Sequence, residues 1–448
     1  MEITRRDAVL KLLFGAGMVG LRSLATGIPA SILLNPRRAL AADAGAGAEG
    51  GAAAPVSQAQ FVIFSSSGSG DPVNCNAPGT YGDPNIGHAT DPSMASTAIN
   101  FGGSSVNGAQ IWSTLPASVL ARTCFFHHAT YTVIHPDEDK VLGMMGAVAS
   151  GEMLPSLLSR ELAPTLGTVR AQPITLSGNA NEAIYYQGAP QPLLTPTTLA
   201  SVLASPTDGL GSANLVALRD QGLDSLNALV KSAGTTAQKN FIDKYATSVT
   251  QLRTLQSGLL SSLSAIKDNS QDSQIQTAII LFQMKVTPVV VVHVAFGGDN
   301  HGDPNLAGEV TGHQTGVASL ATMMQELTAA NLQNQVTFAM TNVFGRTMIA
   351  SQNTNGRGHN ESHHVSVLIG PRIKGGVIGG VAQPKAGAEY AALPIVSSTG
   401  AGSAAGDIPF ASTFGAMGQT LAAAAGLSPA TIAANVLTGS VVNAALTS

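Results

Sequence analysis

Val289-Val290-Val291-Val292 runs directly into His293-Val294-Ala295-Phe296, the strongest strand signal in the chain. A strand whose two alternating faces are both apolar must be covered on both, as strands of parallel sheets are. Shorter apolar runs of the same kind end in polar loops. Phe61-Val62-Ile63-Phe64 opens into Ser65-Ser66-Ser67-Gly68-Ser69-Gly70-Asp71, and Thr123-Cys124-Phe125-Phe126 ends at His127-His128. Val336 to Met340 and Val365 to Ile369 read as two further strands. Leu320, Met323, Met324 and Leu327 follow the helical three- and four-residue step. Leucines and aromatics from about residue 213 to 266 do the same, with Gly234 predicted to break that stretch into two helices. Strands alternating with helices predict an α/β, three-layer sandwich with a mostly parallel central sheet.

Composition bounds the function. Of 448 residues, 44% are apolar and only 11% charged, so enough apolar surface exists to offset chain entropy and disorder is excluded. A formal charge of −4 lacks the basic excess of a nucleic-acid binder, so no nucleic-acid partner is expected.

The first residues read as an address. Arg5-Arg6 precedes a weakly apolar stretch from Leu12 to Leu34, and Ala39-Leu40-Ala41 has the small-x-small form of a cleavage site. Arg22 and Pro29 interrupt the stretch, which argues against a membrane anchor. Residues 1–41 are therefore expected to be a twin-arginine (Tat) signal peptide, 42–58 a flexible Ala/Gly linker, and 59–448 one domain with a helical insertion near 213–284. The Tat export machinery is the implied partner, a periplasmic or secreted location follows, and no stable membrane span is expected. Cys75 and Cys124 are the only cysteines. They are too few for a disulfide scaffold, and whether they pair is left to geometry.

Polar groups gather where strands end, the edge at which open α/β sheets bind ligands. Eight of ten histidines, at 127, 128, 135, 293, 301, 359, 363 and 364, lie on or just after predicted strands. With Asp71 and Asp299 they form an imidazole and carboxylate set of the kind that holds zinc and similar ions. Asp71, Asp299, His301, His359, His363 and His364 are the candidate metal ligands. His88, His293 and His313 read better as structural, and His313 is expected to face solvent from the start of a helix. Gly68-Ser69-Gly70 lacks the lysine and spacing of a phosphate loop.

Gly297-Gly298-Asp299-Asn300-His301, the Phe344-Gly345-Arg346-Thr347 turn and His359…His363-His364-Val365…Gly370…Lys374-Gly375-Gly376 resemble domain-of-unknown-function family 1501, grouped with the alkaline phosphatase and sulfatase clan. The likeness runs through nearly the whole mature chain and is specific in its C-terminal half. It implies an alkaline-phosphatase-like fold and a hydroxyl nucleophile beside one or two divalent ions (Zn, Mn, Mg or Ca). The family's Gly-Trp-Asp-x-His loop matches Asp299 and His301, and its Glu-Phe-Gly-Arg turn matches Phe344-Gly345-Arg346. Thr130 and His135 fall where the family shows a Ser/Thr and a histidine, which makes Thr130, His135 and Arg346 the candidate catalytic residues. Val343 replaces the family's Glu and Gly358 its Asp, which implies a site holding one cation or none. The expected function is metal-dependent hydrolysis of phosphate or sulfate esters, on a small-molecule or polymer substrate. The alternative is a catalytically degenerate periplasmic protein that binds a ligand or partner.

The twin-arginine reading has a direct test. Replacing Arg5 and Arg6 with Lys should strand the precursor in the cytoplasm, whereas unchanged secretion from a Tat-deficient host would refute the assignment.

Overall fold

The computed structural model describes residues 59–138, 140–141, 152–166, 172–179, 182–186, 189–204, 266–349 and 355–447, with scattered positions between 221 and 265. The expected signal peptide and linker lie outside these residues, as does most of the expected insertion. Among the described positions of that insertion, helical residues occur on either side of Gly234.

Among the described residues, seven strands form the central sheet: β1 Phe61–Ser65, β2 Thr123–His128, β3 Ile174–Thr175, β4 Val289–Val292, β5 Val336–Met340, β6 His364–Ile369 and β7 Gly376–Ile378. Their order is β7-β2-β6-β5-β1-β4-β3. β1 pairs in parallel with both β4 and β5, β3 with β4, and β7 with β2. Only β6 runs against its neighbours, β2 and β5. The fold is therefore mixed α/β with a large, mostly parallel sheet, as the apolar runs required.

Alternation along the strands explains how both faces are filled. Phe61, Ile63, Val290, Val292, Phe338 and Val367 point to one side, where they join apolar residues of α1 (Ala117–Leu120), α3 (Gln271–Gln283), α4 (Ala307–Ala329) and Trp112. Val62, Phe64, Val289, Val291, Ala339 and Leu368 point to the other, against α2 (Leu154–Leu162) and α5 (Thr413–Ala424). The apolar run at 289–296 gives a shorter strand than its length suggests. Beyond Val292, side chains take over the backbone amides: Gln274 accepts from His293 N, Ser65 Oγ from Val294 N, and Gln271 from Ala295 N. Val294 and Phe296 stay buried, but in a loop rather than in the ladder.

A hairpin, Ser96–Asn100 with Ser105–Ala109, was not foreseen because its residues are mostly small and polar. It leads into the turn that carries Trp112 into the core. Cys75 and Cys124 are both buried and unpaired. No helix among the described residues is long and apolar enough to cross a membrane.

Phe64 lies on a central strand with no exposed surface. Phe64→Ala should cost about 3–5 kcal/mol by denaturant unfolding, the range for deleting a buried aromatic ring. A loss below about 1 kcal/mol would mean that this face is not packed as described.

Candidate functional site

The carboxyl ends of β1, β2, β4 and β5 and the first residue of β6 share one edge of the sheet, since Ser65 pairs with Met340 and Val292, and His128 with His364. Three imidazoles meet beyond it. One ring nitrogen each from His135, His301 and His359 lies within 4.8 Å of the other two. His301 Nε2 and His359 Nε2 are 2.8 Å apart. Asp299 completes the group, with its oxygens 3.5 Å from His135 Nε2 and 3.6 Å from His301 Nε2.

Backbone carbonyls fix which nitrogens are free. His135 Nδ1 sits 2.7 Å from the Gly68 carbonyl, and His359 Nδ1 sits 2.8 Å from that of Val133. A carbonyl only accepts, so each Nδ1 carries a proton and Nε2 is the nitrogen each ring turns toward the cluster, with a bare lone pair whenever the ring is neutral. Metal-ligating histidines are held in the same way, by an outer partner on the other nitrogen. Phe344 packs beneath, stacked on His359 at 4.0 Å and meeting His135 edge-on at 4.8 Å. Gly70 allows this, for a Cβ there would lie 2.2 Å from the Phe344 ring.

Arg346 is fully buried, and each of its three guanidinium nitrogens has a hydrogen-bond acceptor. Nε donates to Gly70 O at 2.5 Å, and Nη2 to Ser69 O at 2.6 Å and Asp299 Oδ1 at 2.8 Å. Nη1 faces His301 Nε2 at 3.3 Å and Arg357 O at 3.4 Å. The loop after β1 thus presents carbonyls to His135 and Arg346, the opposite polarity from an anion-binding loop. Burial alone would push the Asp299 carboxyl up, but the Arg346 guanidinium outweighs it and holds the group below the usual carboxylate range. Burial, and then Arg346, push the His359 imidazole below its ordinary value.

These donors fit a borderline cation. Three partly exposed imidazoles and a carboxylate are the ligand types of catalytic zinc sites, whereas Mg²⁺ and Ca²⁺ prefer oxygen alone. Ligands near 2.0–2.1 Å from one ion stand a little over 3 Å apart, so the His301–His359 contact would have to open by about half an ångström.

The other expected site residues are distributed differently. His135, expected to be catalytic, stands with His301 and His359. Asp71 is buried beneath, accepting from Gly298 N at 2.5 Å, with its second oxygen unpartnered. Burial pushes its carboxyl up against the opposing pull of His293. The Thr130 hydroxyl is buried and unpartnered. His363 and His364 belong to a separate buried group. Asn74 Nδ2 faces His363 Nδ1 at 3.5 Å, His363 Nε2 faces His127 Nδ1 at 3.0 Å, and His127 Nε2 reaches Pro78 O at 2.9 Å. Each nitrogen in that chain has one consistent role, donor or acceptor, only if both rings are neutral. His364 Nε2 accepts from Asn342 N at 3.0 Å, and its ring packs edge-on against His128.

His313 does not face solvent. It is buried on α4, edge-on to Trp112 and Phe296, with Nδ1 donating to Glu309 O at 2.9 Å. Val310, His313, Val317 and Leu320 share the buried helical face, and that spacing could have revealed it. Sequence reading also missed Glu309 and Arg357, a fully buried ion pair at 2.6 Å. An acidic residue within the repeat of a buried helical face was the available signal. His293 is held at 2.8 Å by buried Glu182, and His88 stacks on Tyr81.

Residues 190–396 match the family described as "Protein of unknown function (DUF1501)". The match includes Asp299, His301, Arg346 and His359, and it supports placing the chain in that family. No curated protein matches the chain.

The buried imidazoles make stability pH-dependent. Burial pushes His127 and His128 down to about 4, and His363 and His364 well below their ordinary value. In the unfolded chain the same groups take protons near pH 6.5. The unfolded state therefore binds more protons below pH 6.5, and folding stability should fall from there through about pH 4. Each such imidazole contributes a slope of about 1.4 kcal/mol per pH unit in that window. Urea melts from pH 7.5 to 4 test this, and constant stability across the range would contradict neutral buried rings.

Proposed function

We propose that this chain is an exported, cation-dependent hydrolase of phosphate or sulfate esters, with the fold of the alkaline phosphatase and sulfatase clan. Export by the Tat pathway would place it in the periplasm or outside the cell. The observation that carries the reading is the meeting of His135, His301 and His359, two of them with Nε2 lone pairs fixed by backbone carbonyls, beside an ionised Asp299. Those three histidines would hold the cation, and imidazole donors favour zinc over Mn, Mg or Ca. When bound, it would supply Lewis-acid stabilisation of the ester oxygens and a lowered pKa for the attacking oxygen. Arg346 holds Asp299 and the loop after β1 in place rather than gripping substrate, because each of its nitrogens is already engaged within the fold. Thr130, which falls where the family shows a Ser/Thr, is our candidate for the attacking hydroxyl. With Val343 and Gly358 where the family carries carboxylates, the ligand set suits one cation rather than two.

The engagement of Arg346 also favours a second reading, in which the chain binds a ligand or envelope partner without turning it over. Elemental analysis of protein folded and exported in its native host should find about one zinc per chain. His301→Ala should remove the metal and lower ester hydrolysis by orders of magnitude, since the stabilisation lost is several kcal/mol. Thr130→Ala should abolish turnover and keep the metal. Metal-loaded protein inactive on a broad panel of phosphate and sulfate esters would leave the binding role in place of the enzyme.

A further inference from the structure

His301 and His359 lie 58 positions apart, yet their Nε2 atoms meet at 2.8 Å. His359 begins a two-residue strand paired with Gly345-Arg346, His301 sits in the loop after β4, and neither belongs to the central sheet, so contacts outside that sheet must set the distance. One buried carboxylate touches every segment involved. Glu309, in the first turn of α4, takes a two-point contact from Arg357: Nε to Oε2 at 2.6 Å and Nη2 to Oε1 at 2.9 Å. The same oxygens accept from Asn300 Nδ2 at 3.0 Å and Asn76 Nδ2 at 2.6 Å. Asn300 stands between Asp299 and His301, and Arg357 stands two residues before His359.

The backbone follows the same pattern. Arg357 N donates to Asn300 O, and Asp303 N to Asn355 O, each at 3.0 Å. Gly356 permits the approach, since a Cβ there would lie 2.2 Å from Asn300 O. The Asp303 carboxylate in turn takes the amides of Gly308 and Glu309 at 2.7 and 2.9 Å, tying the start of α4 to the same loop. Arg357 spans onward to Thr347 O at 2.9 Å and Gly87 O at 2.8 Å, beside the turn that carries Arg346. Both charged side chains are fully buried.

We infer that the Glu309–Arg357 pair is the positioning device of the imidazole centre, setting the separation of His301 and His359 and with it the affinity for a divalent cation. The inference rests on the cation-site reading above for its consequence, but not for its geometry. Fully buried pairs are costly to desolvate, and an apolar replacement of both partners often leaves stability intact, so stability alone does not explain the pair. Its bonds run instead to the loops that carry Asp299, His301 and His359. Neither residue touches the place where a cation would sit.

The test compares the wild-type chain with Glu309→Gln, Arg357→Lys and the double variant Glu309→Leu/Arg357→Met. The single variants leave one partner buried and are at risk of misfolding, whereas the double variant removes both charges together. Co²⁺ titration followed by visible absorption gives the affinity, and a crystal structure of the metal-free double variant gives the nitrogen–nitrogen distance. The expected result is a folded double variant with His301 and His359 no longer in hydrogen-bond contact, His135 still on the Gly68 carbonyl, and Co²⁺ bound 10- to 100-fold more weakly, the usual effect of losing an outer support. A folded double variant with that contact and the wild-type affinity would overturn the inference. If the wild type binds no Co²⁺, the cation reading fails by itself, and the crystallographic distance still decides whether the pair positions the two rings. If the double variant does not fold, Arg357→Lys decides by the same distance, since Lys keeps the charge but cannot make the two-point contact.

Discussion

A guanidinium shut away from water must find an acceptor for each of its five N–H bonds, and that requirement shapes the edge of this sheet. Arg346 meets most of it through the carbonyls of Ser69, Gly70 and Arg357 and the Asp299 carboxylate, and turns its last N–H toward the His301 ring. Loops that follow β1, β4 and β5 are thereby fixed to one another. The ionised state of Asp299 follows from the same contact. So does the placement of His135, whose ring is held by the carbonyl of Gly68 in the loop that Arg346 clasps.

Two buried polar systems lie behind this edge and differ in character. Around Glu309 and Arg357 the groups are charged, paired and many-bonded, which fixes geometry because each broken bond would strand a charge. Around His127 and His363 the groups are neutral, and the consistent direction of their hydrogen bonds depends on their staying so. Acid therefore acts on the second system first. The outer cluster of His135, His301 and His359 is partly exposed and turns its ring nitrogens toward one another, which separates it from the enclosed rings of His127, His128, His363 and His364.

Much of the fold was legible in the chain. Phe61–Phe64, Thr123–Phe126, Val289–Val292, Val336–Met340 and Val365–Ile369 all became strands of the central sheet, because runs apolar on both faces have few other places to go. The hairpin at 96–109 was not legible, since it rests on backbone pairing between small polar residues. For the site, glycine-flanked histidines at strand ends identified the edge, and His301 with His359 were named from it. The sequence could not separate His359 from His363 and His364. All three lie within six positions, and β6, by running antiparallel, turns the last two into the interior while His359 stays outside the sheet.

The sequence by itself determined the α/β class, the both-faced burial of the sheet and the edge where polar groups collect, because these depend on local apolar period and on where strands stop. Only the tertiary structure decided which imidazoles meet. It also decided that Arg346 is engaged by the loops around it, that His313 is buried, and that Glu309 and Arg357 find each other across 48 positions. The physical reason is common to these cases. Apolar period is written in neighbouring residues, whereas the partner of a buried charge or ring nitrogen is set by which loops the sheet brings to the same edge.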